Sequence, residues 1–274
     1  MLPISKLFLP PPALSGCMFA AIYRDTRGAK LSAPDRVSHF PASPLVSVTL
    51  VRHGALHLLG ADGDWRRATE TPALPKCAVM APQNMPTSSW APADVEAVSL
   101  GIYPDAWRSL GGDEGYADIP ACLVTALECF QEATDTATGW QAFCNSLAPH
   151  WAQSRPMRWQ RATDLTDWVK ELITRAALSG AGQSLRSFER RMKRYSGQAR
   201  RTLEFFSAME RLQEIAHQNA GAPLAEIAHQ AGYADQSHMG RAVHRATGFS
   251  PARLNQAIQT DEAFWCYRLL GERF

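Results

Sequence analysis

Polar and basic side chains lie along one side of residues 236–245, and their types suit contacts with nucleic acid. They are Gln236, Ser237, His238, Arg241 and Arg245. Arginine forms paired hydrogen bonds with a guanine edge, and glutamine does so with an adenine edge. If the segment is a helix, Gln236 and Ser237 lie in its first turn, the end that meets base edges in the major groove. The pattern predicts a DNA-contacting helix. The alternative is a solvated basic face on a structural helix.

Two short helices joined by a tight turn are predicted to hold that face. Apolar residues recur twice at i, i+3, i+4 and i+7, first at Leu224, Ile227, Ala228 and Ala231 and then at Met239, Ala242, Val243 and Ala246. This spacing gives each helix one apolar stripe. Pro223 suits the first helical position, and Gly232 permits the turn. Asp235 caps the second helix, and Gly248 ends it before a third begins at Ser250. Such a pair of helices is a helix-turn-helix.

A second, degenerate copy of this unit lies upstream. The apolar pattern predicts a helix over residues 165–178, and a turn with two glycines follows at residues 179–182. Ser184 caps the next helix, and Gly197 ends it. The predicted buried stripe of that helix consists of Leu185, Phe188, Met192 and Tyr195. The opposite side carries Arg186, Ser187, Arg190, Lys193 and Arg194. We predict that this side also contacts DNA.

A continuous helix is predicted to connect the two units. Apolar residues recur every three positions, at Leu203, Phe206, Met209, Leu212 and Ile215. At the rise of an α-helix, residues 201–217 span roughly 25 Å. Two recognition helices on one face of DNA must match the spacing of successive major grooves, about 34 Å. The connector is therefore near the length that such an arrangement needs.

The segment GYADQSHMGRAVHRATGFSPARL, residues 232–254, resembles the second helix-turn-helix of AraC/XylS-type transcription regulators. The matching positions are Gly232, Tyr233, Asp235, Ser237, Arg241, Gly248, Ser250 and Pro251. Met239 and Val243 stand where the family usually has Phe. The upstream unit, with SLRSFERRM and Gly197, resembles the first helix-turn-helix of the same family more loosely, because Ala199 and Arg200 replace its Ser-Pro pair.

This resemblance implies a sequence-specific transcription regulator whose partner is double-stranded DNA. It further implies an N-terminal sensor for a small-molecule effector, contact with RNA polymerase, and a homodimer formed by helices that precede the DNA-binding domain. For those helices, simple packing onto the β-rich domain is the alternative. Two other functions compete with this interpretation. One is a DNA-targeted enzyme such as an alkyl-transfer repair protein, and the other is a DNA-binding protein without an effector.

The first half of the chain has the pattern of short strands. Val46, Val48 and Leu50 alternate with polar residues, and further strands are predicted at residues 77–80 and 95–102. Residues 56–59 and 65–67 flank a glycine-containing turn, which predicts a hairpin. Residues 1–16 are predicted to be an extended proline-rich arm, and helices are predicted at residues 123–133 and 140–151. The predicted class is α+β: a β-rich barrel or sandwich with helices, followed by an all-α double helix-turn-helix domain.

Composition supports a division into two domains. Residues 154–161 are polar and contain a proline, so we predict a sensor and dimerisation domain at residues 1–155 and a DNA-binding domain at residues 160–274. The apolar tail from residue 261 is predicted to pack on the latter. Residues 183–253 contain 11 lysines and arginines against 6 aspartates and glutamates, whereas the rest of the chain is mildly acidic. This imbalance favours a polyanion partner for the C-terminal part alone.

Other residues with chemical potential give weaker signals. The metal candidates are His39, His53 and His57. Their strand-like surroundings favour surface or pocket positions, so no metal site is predicted. The aromatic candidates for an effector pocket are Trp65, Trp90 and Trp107, with plain core packing as the alternative.

The six cysteines show neither a C-x-x-C pair nor a zinc-like spacing, which indicates reduced thiols in a cytoplasmic protein. Their apolar neighbours favour inert rather than catalytic thiols. The chain also lacks a glycine-rich phosphate loop, H-E-x-x-H and G-x-S-x-G. We therefore predict no enzymatic activity and no cofactor. No apolar run approaches the ~18 residues that span a membrane.

Overall fold

The computed structural model describes residues 1–60, 63–156, 162–179, 184–219 and 221–273. The strands come first in the chain. Within the described residues they are β1 (Ile4–Phe8), β2 (Met18–Asp25), β3 (Val37–Phe40), β4 (Val46–His53), β5 (His57–Leu58), β6 (Cys77–Met80), β7 (Thr87–Trp90) and β8 (Glu96–Ile102). The strands predicted at β4, β6 and β8 are confirmed.

The strands form two antiparallel sheets. The larger has the order β1-β2-β8-β4-β6, and the smaller has the order β3-β7-β5. At the centre of the larger sheet, Leu100 of β8 pairs with Ala21 of β2 on one side and with Val48 of β4 on the other. All three side chains are buried, because they pack in the main apolar core. Both sheets are open in the described part of the chain, so the β-rich half is not a closed barrel.

Two expectations for this half are wrong in detail. Ile4–Phe8 is not part of a free arm but forms the edge strand β1, which pairs with β2 along its whole length. The hairpin predicted around residue 62 is absent from the described residues, since β5 pairs with β7 instead. Trp65–Glu70 forms a 3₁₀-helix because the Asp64 side chain caps it by accepting a hydrogen bond from the Arg66 N–H at 3.1 Å. Residues 61 and 62 of the predicted turn lie outside the described residues.

Helices form the rest of the described structure. They are α1 (Pro104–Ser109), α2 (Ala121–Glu132), α3 (Thr136–Ser154), α4 (Leu165–Leu178), α5 (Leu185–Ser196), α6 (Arg200–Gln218), α7 (Leu224–Gln230), α8 (Gln236–Thr247), α9 (Pro251–Thr260) and α10 (Trp265–Gly271). Every helix predicted from apolar spacing is present, with bounds that differ by a few residues at most. The α+β class is confirmed.

The largest apolar core joins the two halves of the chain. Trp107 and Trp151 from the first half share one cluster of buried side chains with Trp168, Met192 and Phe206 from the second. A smaller cluster joins α6, α7 and α8. The predicted boundary falls mainly on residues 157–161, outside the described residues. The division into two domains therefore stays a prediction.

The tail was predicted to pack on the DNA-binding domain; it packs on α9 and also on the strands of the first half. Trp265, Cys266 and Leu269 form a cluster with Leu7 of β1 and Phe40 of β3, among others. The Trp265 Nε1–H donates to the Ser38 hydroxyl at 2.9 Å. The tail thus covers apolar side chains of both halves and connects them.

Candidate nucleic-acid interface

The second helix-turn-helix is built as the sequence predicted. α7 is followed by Gly232 at a φ of +83°, which glycine adopts without the strain that a side chain brings. The Tyr233 N–H then donates to the Ala228 carbonyl at 2.9 Å. Asp235 caps α8 by accepting a hydrogen bond from the His238 N–H at 2.6 Å. These local bonds fix the turn between the two helices.

The facing sides of α7 and α8 are apolar. Ala228 of α7 and Met239 and Val243 of α8 are buried in one cluster, which Met209 and Leu212 of α6 complete. A small side chain at position 228 lets the two helices approach closely. Because the apolar sides face inward, the opposite side of α8 is exposed to solvent.

That outer side carries the residues predicted to contact DNA, and all of them are exposed: Gln236, Ser237, His238, Arg241 and Arg245. The His238 ring lies edge-on to the Tyr233 ring, with centroids 5.2 Å apart. The Arg245 guanidinium lies 4.2 Å from the centroid of the Phe205 ring on α6, so Arg245 is held beside the connector helix. Arg241 forms no ion pair within the described residues, and its guanidinium is available to an external acceptor.

The first unit, α4 and α5, follows the same plan. The Ser184 hydroxyl caps α5 by accepting a hydrogen bond from the Ser187 N–H at 3.2 Å. Gly197 ends the helix at a φ of +75°. The buried Arg191 connects the two helices, because its Nε–H donates to the Ala176 carbonyl of α4 at 2.7 Å. A basic residue of α5 is thereby used for structure and is unavailable to DNA.

The buried side of α5 is shorter than predicted. Leu185 is 66% exposed because it is the first residue of the helix and precedes the part of α5 that packs on α4. Met192 is buried, and Phe188 and Tyr195 are half-buried, as the stripe requires. The glycine turn predicted before this helix falls mostly on residues 180–183, outside the described residues.

The outer side of α5 is basic, and its exposed residues are Arg186, Arg190, Lys193 and Arg194. Among described residues, the first three form no ion pair. Arg194 lies 5.7 Å from the centroid of the Tyr195 ring, and its carbonyl accepts a hydrogen bond from Arg108 of the first half. Ser187, the fifth candidate on this side, is half-buried and its hydroxyl is bonded to Ser184 at 3.0 Å. Ser187 therefore contributes to the N-terminal cap of α5 rather than to its exposed side.

The first unit is fixed to the N-terminal half by a buried ion pair. Asp105 of α1 accepts a hydrogen bond from the Trp168 Nε1–H at 2.9 Å and pairs with Arg175 at 2.7 Å, and both partners lie on α4. The Arg175 guanidinium also lies 4.9 Å from the centroid of the Tyr195 ring on α5. Burial raises the pKa of the Asp105 carboxyl, and Arg175 opposes that rise. The position of α4 and α5 therefore depends on the first half of the chain.

The connector α6 determines how far apart the two units stand. It has 19 residues and is therefore about 28 Å long. Its first half contributes Leu203 and Phe206 to the main core, and its second half contributes Met209 and Leu212 to the core of the second unit. Because both ends are packed, α6 acts as a rigid spacer. Its length is close to the spacing of successive major grooves, about 34 Å.

An apolar cavity of about 220 Å³ lies between the N-terminal sheets and the C-terminal helices. Strands and loops of the first half contribute Phe40, Pro44, Leu58, Met80 and Leu100 to its wall, among others. Phe206, Met209 and Glu210 of α6 form part of the opposite wall. The C-terminal end of α8 reaches the cavity through Ala246 and Thr247. The sequence did not predict this cavity, because its lining residues are scattered along the chain.

The tryptophans predicted as pocket candidates lie elsewhere. Trp107 is buried in the main core, where its Nε1–H donates to the Asp113 carbonyl at 3.0 Å. Trp65 and Trp90 stack on each other with centroids 5.8 Å apart, and neither lines the cavity. Core packing therefore describes Trp107, whereas Trp65 and Trp90 are half-buried.

The three candidate histidines do not converge. The His39 ring nitrogen Nδ1 lies 2.7 Å from the Ser88 hydroxyl, and His57 Nδ1 lies 2.9 Å from the Thr71 carbonyl. His53 is exposed at the end of β4. In the described ranges, no group of three or more His, Cys, Asp or Glu side chains is placed to hold a metal ion.

None of the helices in the described part of the chain is both long and apolar enough to cross a membrane.

Among solved structures, ToxT from Vibrio cholerae in a P21 crystal form is similar at 11% identity and a TM-score of 0.38, over 92% of this chain and 97% of that chain. A structure of ToxT with a bound unsaturated fatty acid is similar at 11% identity and a TM-score of 0.35, over 79% and 93% of the two chains. Similarity this low carries no functional conclusion.

Sequence comparisons concern the C-terminal part of the chain. No curated protein matches the sequence. A family model described as a helix-turn-helix domain matches residues 178–257. The matched segment contains the outer basic sides of both α5 and α8 and the connector between them. This match shows a helix-turn-helix domain in the C-terminal part of this chain.

Proposed function

We propose that this chain is a transcription regulator that binds specific double-stranded DNA through α5 and α8 and responds to a small-molecule effector. The observation that carries the proposal is a repeated arrangement. Each end of α6 joins a helix-turn-helix whose second helix presents exposed arginines, Arg186 and Arg190 at one end and Arg241 at the other. A merely solvated basic face has no reason to recur at the same place in two units joined by a spacer of groove-like length.

We assign different roles to the basic residues. On α8, Gln236 and Ser237 in the first turn and Arg241 one turn later face base edges, where arginine and glutamine form paired hydrogen bonds. Arg245 is held against Phe205 near the C-terminal end of α8, which suits a phosphate contact. On α5, Arg186 and Arg190 take the base-facing role, and Lys193 and Arg194 contact the backbone.

The cavity is the proposed effector site, because its wall includes the parts of the chain that position both recognition helices. The Ala42 N–H donates to the Ala246 carbonyl of α8 at 2.8 Å. The Gln198 Nε2–H donates to the Pro44 carbonyl at 2.8 Å, just before α6 begins. Ala42, Pro44 and Ala246 all line the cavity. A ligand that fits only one arrangement of these segments increases the fraction of protein molecules in that arrangement.

The chemistry of the cysteines argues against the enzyme alternative. A nucleophilic cysteine needs a lowered pKa. Burial instead raises the pKa of Cys144 and of Cys266 to about 12, and it raises that of Cys17 still further. These thiols stay protonated near neutral pH, so an alkyl-transfer role for them is disfavoured.

The helices α2 and α3 were the predicted dimerisation elements. Their inner sides pack on the chain itself, with Leu123, Phe130, Phe143, Leu147 and Trp151 buried in the main core. This burial supports the packing alternative for those sides. A homodimer through their outer sides, and contact with RNA polymerase, remain predictions.

Selection from a random duplex library tests the DNA-binding proposal. The full chain should enrich a defined sequence, and footprinting should show two protected segments about one helical turn apart. The double variant Arg190→Ala/Arg241→Ala should lose the enrichment. The control Arg155→Ala/Arg201→Ala removes two exposed arginines outside the outer sides of α5 and α8 and should keep it. Enrichment that survives the first variant would contradict the proposal.

A further inference from the structure

We propose that the effector cavity takes an uncharged, mainly apolar molecule. This inference rests on the proposed function and names the chemical class of its ligand. An apolar cavity of about 150 Å³ accepts benzene. The present cavity of about 220 Å³ therefore suits a molecule of roughly ten non-hydrogen atoms.

The wall of the cavity offers no partner for an anion. Among the described residues that line it, none is a lysine, an arginine or a histidine. Most of the wall is aliphatic or aromatic, as at Phe40, Leu58 and Phe206. A carboxylate moved from water into such a site keeps most of its desolvation cost, because no cation in the described lining compensates its charge.

Among the described lining residues only Glu210 is charged, and its carboxylate already accepts hydrogen bonds. Oε1 accepts a hydrogen bond from the Leu165 N–H at 3.0 Å, and Oε2 accepts from the Thr166 N–H at 2.8 Å and from the Thr166 hydroxyl at 3.1 Å. These bonds tie α6 to the start of α4. An anionic ligand would be repelled by this carboxylate, and an ammonium ligand would compete with three existing donors.

The polar groups that remain are neutral. Thr49 and Ser99, on neighbouring strands, share a hydrogen bond of 2.8 Å between their hydroxyls, and Gln213 adds an amide from α6. Such groups satisfy a hydroxyl or carbonyl of a ligand without any charge. The cavity thus combines an apolar interior with a few neutral donors and acceptors.

A separate cleft beside the cavity is lined by cationic side chains. Arg273, Arg211 and Lys170 line that cleft, which shares only Phe19 and Glu210 with the cavity. The Arg273 side chain stacks on Phe19 and also donates to the Thr163 carbonyl. A ligand anion would have to leave the apolar cavity to reach these groups.

The test compares three probes of equal chain length: 1-octanol, octanoate and octylamine. Titrations use the full chain labelled with ¹³C at its methionine methyl groups. Met80 and Met209 line the cavity, whereas Met85 is 66% exposed and does not. Octanol should shift the Met80 and Met209 signals saturably and leave Met85 unchanged. Octanoate and octylamine should bind about tenfold more weakly or worse.

A second comparison places a lysine either in the wall of the cavity or outside it. Met80→Lys places a cation in the wall and should reverse the preference in favour of octanoate, whereas Met85→Lys should not. If Met80→Lys does not fold, Gln213→Lys places the cation on the exposed rim of the same cavity. An unchanged preference for octanol in the folded wall variant would contradict the electrostatic argument.

The results of the titrations test the ligand class separately from the role of the cavity as effector site. Octanoate or octylamine binding as tightly as octanol in the wild type would overturn the uncharged class but leave the cavity as the effector site. Octanoate that shifts Met80 and Met209 as strongly as octanol does, and loses this effect in Arg273→Gln, would show that a ligand in the cavity uses Arg273 as an anion partner, and would likewise overturn it. If no probe shifts Met80 or Met209, both the ligand class and the cavity as effector site are wrong.

Discussion

Asp105 of the N-terminal half and Arg175 of the first helix-turn-helix form a buried ion pair at 2.7 Å. The two residues are 70 positions apart in the chain. Since Asp105 also holds the indole of Trp168, one carboxylate ties α4 to α1. The first helix-turn-helix is therefore held against the N-terminal half by side-chain contacts. Its first unit shares a polar contact and a core with the domain that is proposed to sense the effector.

Asp105→Ala should destabilise the protein by about 3 kcal/mol, because it leaves the Trp168 N–H and the Arg175 guanidinium without their buried acceptor. Denaturant unfolding measures the loss. A double-mutant cycle with Arg175→Ala should show that the two changes are not additive. Lys170→Ala breaks the exposed pair with Asp167 on the same helix and should cost less than about 1 kcal/mol. Equal losses for the buried and the exposed pair would contradict the role assigned to Asp105.

The carboxyl of Asp105 should make the protein less stable as pH rises. Burial raises the native pKa of Asp105 above its ordinary value of 3.8, so the native state holds this proton more tightly than the unfolded chain. Stability then falls as pH rises from about 4 through the raised pKa. Asp105→Asn removes this fall, and the stability difference between wild type and variant should decrease with rising pH in that window.

Asp135 provides a control of opposite sign. It caps α3, and hydrogen bonds from Thr138 lower its pKa below the ordinary value of 3.8. Its contribution is present above that value and is lost as pH falls through the lowered pKa. The stability difference between wild type and Asp135→Asn should therefore increase with rising pH. Parallel curves for the two variants would contradict the burial argument for Asp105.

The second helix-turn-helix could be predicted in detail because its signals are local. Gly232 at the turn, Asp235 at the cap and Gly248 at the helix end lie within 17 residues of one another. The two glycines act through their own backbone conformation, and the Asp235 side chain acts on the N–H of His238, three residues later. The apolar spacing then decides which side of α8 is buried. No contact from a distant part of the chain was needed to place Arg241 on the exposed side.

The cavity and the ion pair could not be predicted because they arise from packing between distant segments. Met80, Glu210 and Ala246 line one cavity only after the two halves of the chain dock. The sequence around each of these residues does not indicate that it lines a cavity. Trp65 shows the opposite error: its aromatic side chain suggested an effector pocket, but it lies in a 3₁₀-helix capped by Asp64, stacks on Trp90 and does not line the cavity.

Gly232→Val should destabilise the second unit by about 1–3 kcal/mol, because a β-branched residue is strained at a φ of +83°. A Cβ there would also lie 3.3 Å from Arg211 Nη2. Gly240→Ala is the matched control. Gly240 lies inside α8 with its nearest neighbour 4.0 Å from a built Cβ, so alanine should stabilise the helix by about 0.5–1 kcal/mol. Thermal unfolding of both variants measures the contrast, and melting of Gly232→Val at the wild-type temperature would contradict the turn assignment.

The last prediction separates base contacts from phosphate contacts on the two recognition helices. Lys193→Ala should weaken binding to all sequences alike and reduce the slope of log K against log salt by about 0.9, because one neutralised phosphate is lost. Arg241→Ala should weaken binding to the selected site by about 1–3 kcal/mol and relax the preference at one base pair. The distinction follows from their positions: Arg241 lies one turn after the start of α8, whereas Lys193 lies in the last turn of α5. Binding titrations across a salt series, on the selected site and on a shuffled site, measure both quantities. If Arg241→Ala lowers affinity equally on the two sites, Arg241 contacts phosphate and the base-reading role passes to Gln236 and Ser237.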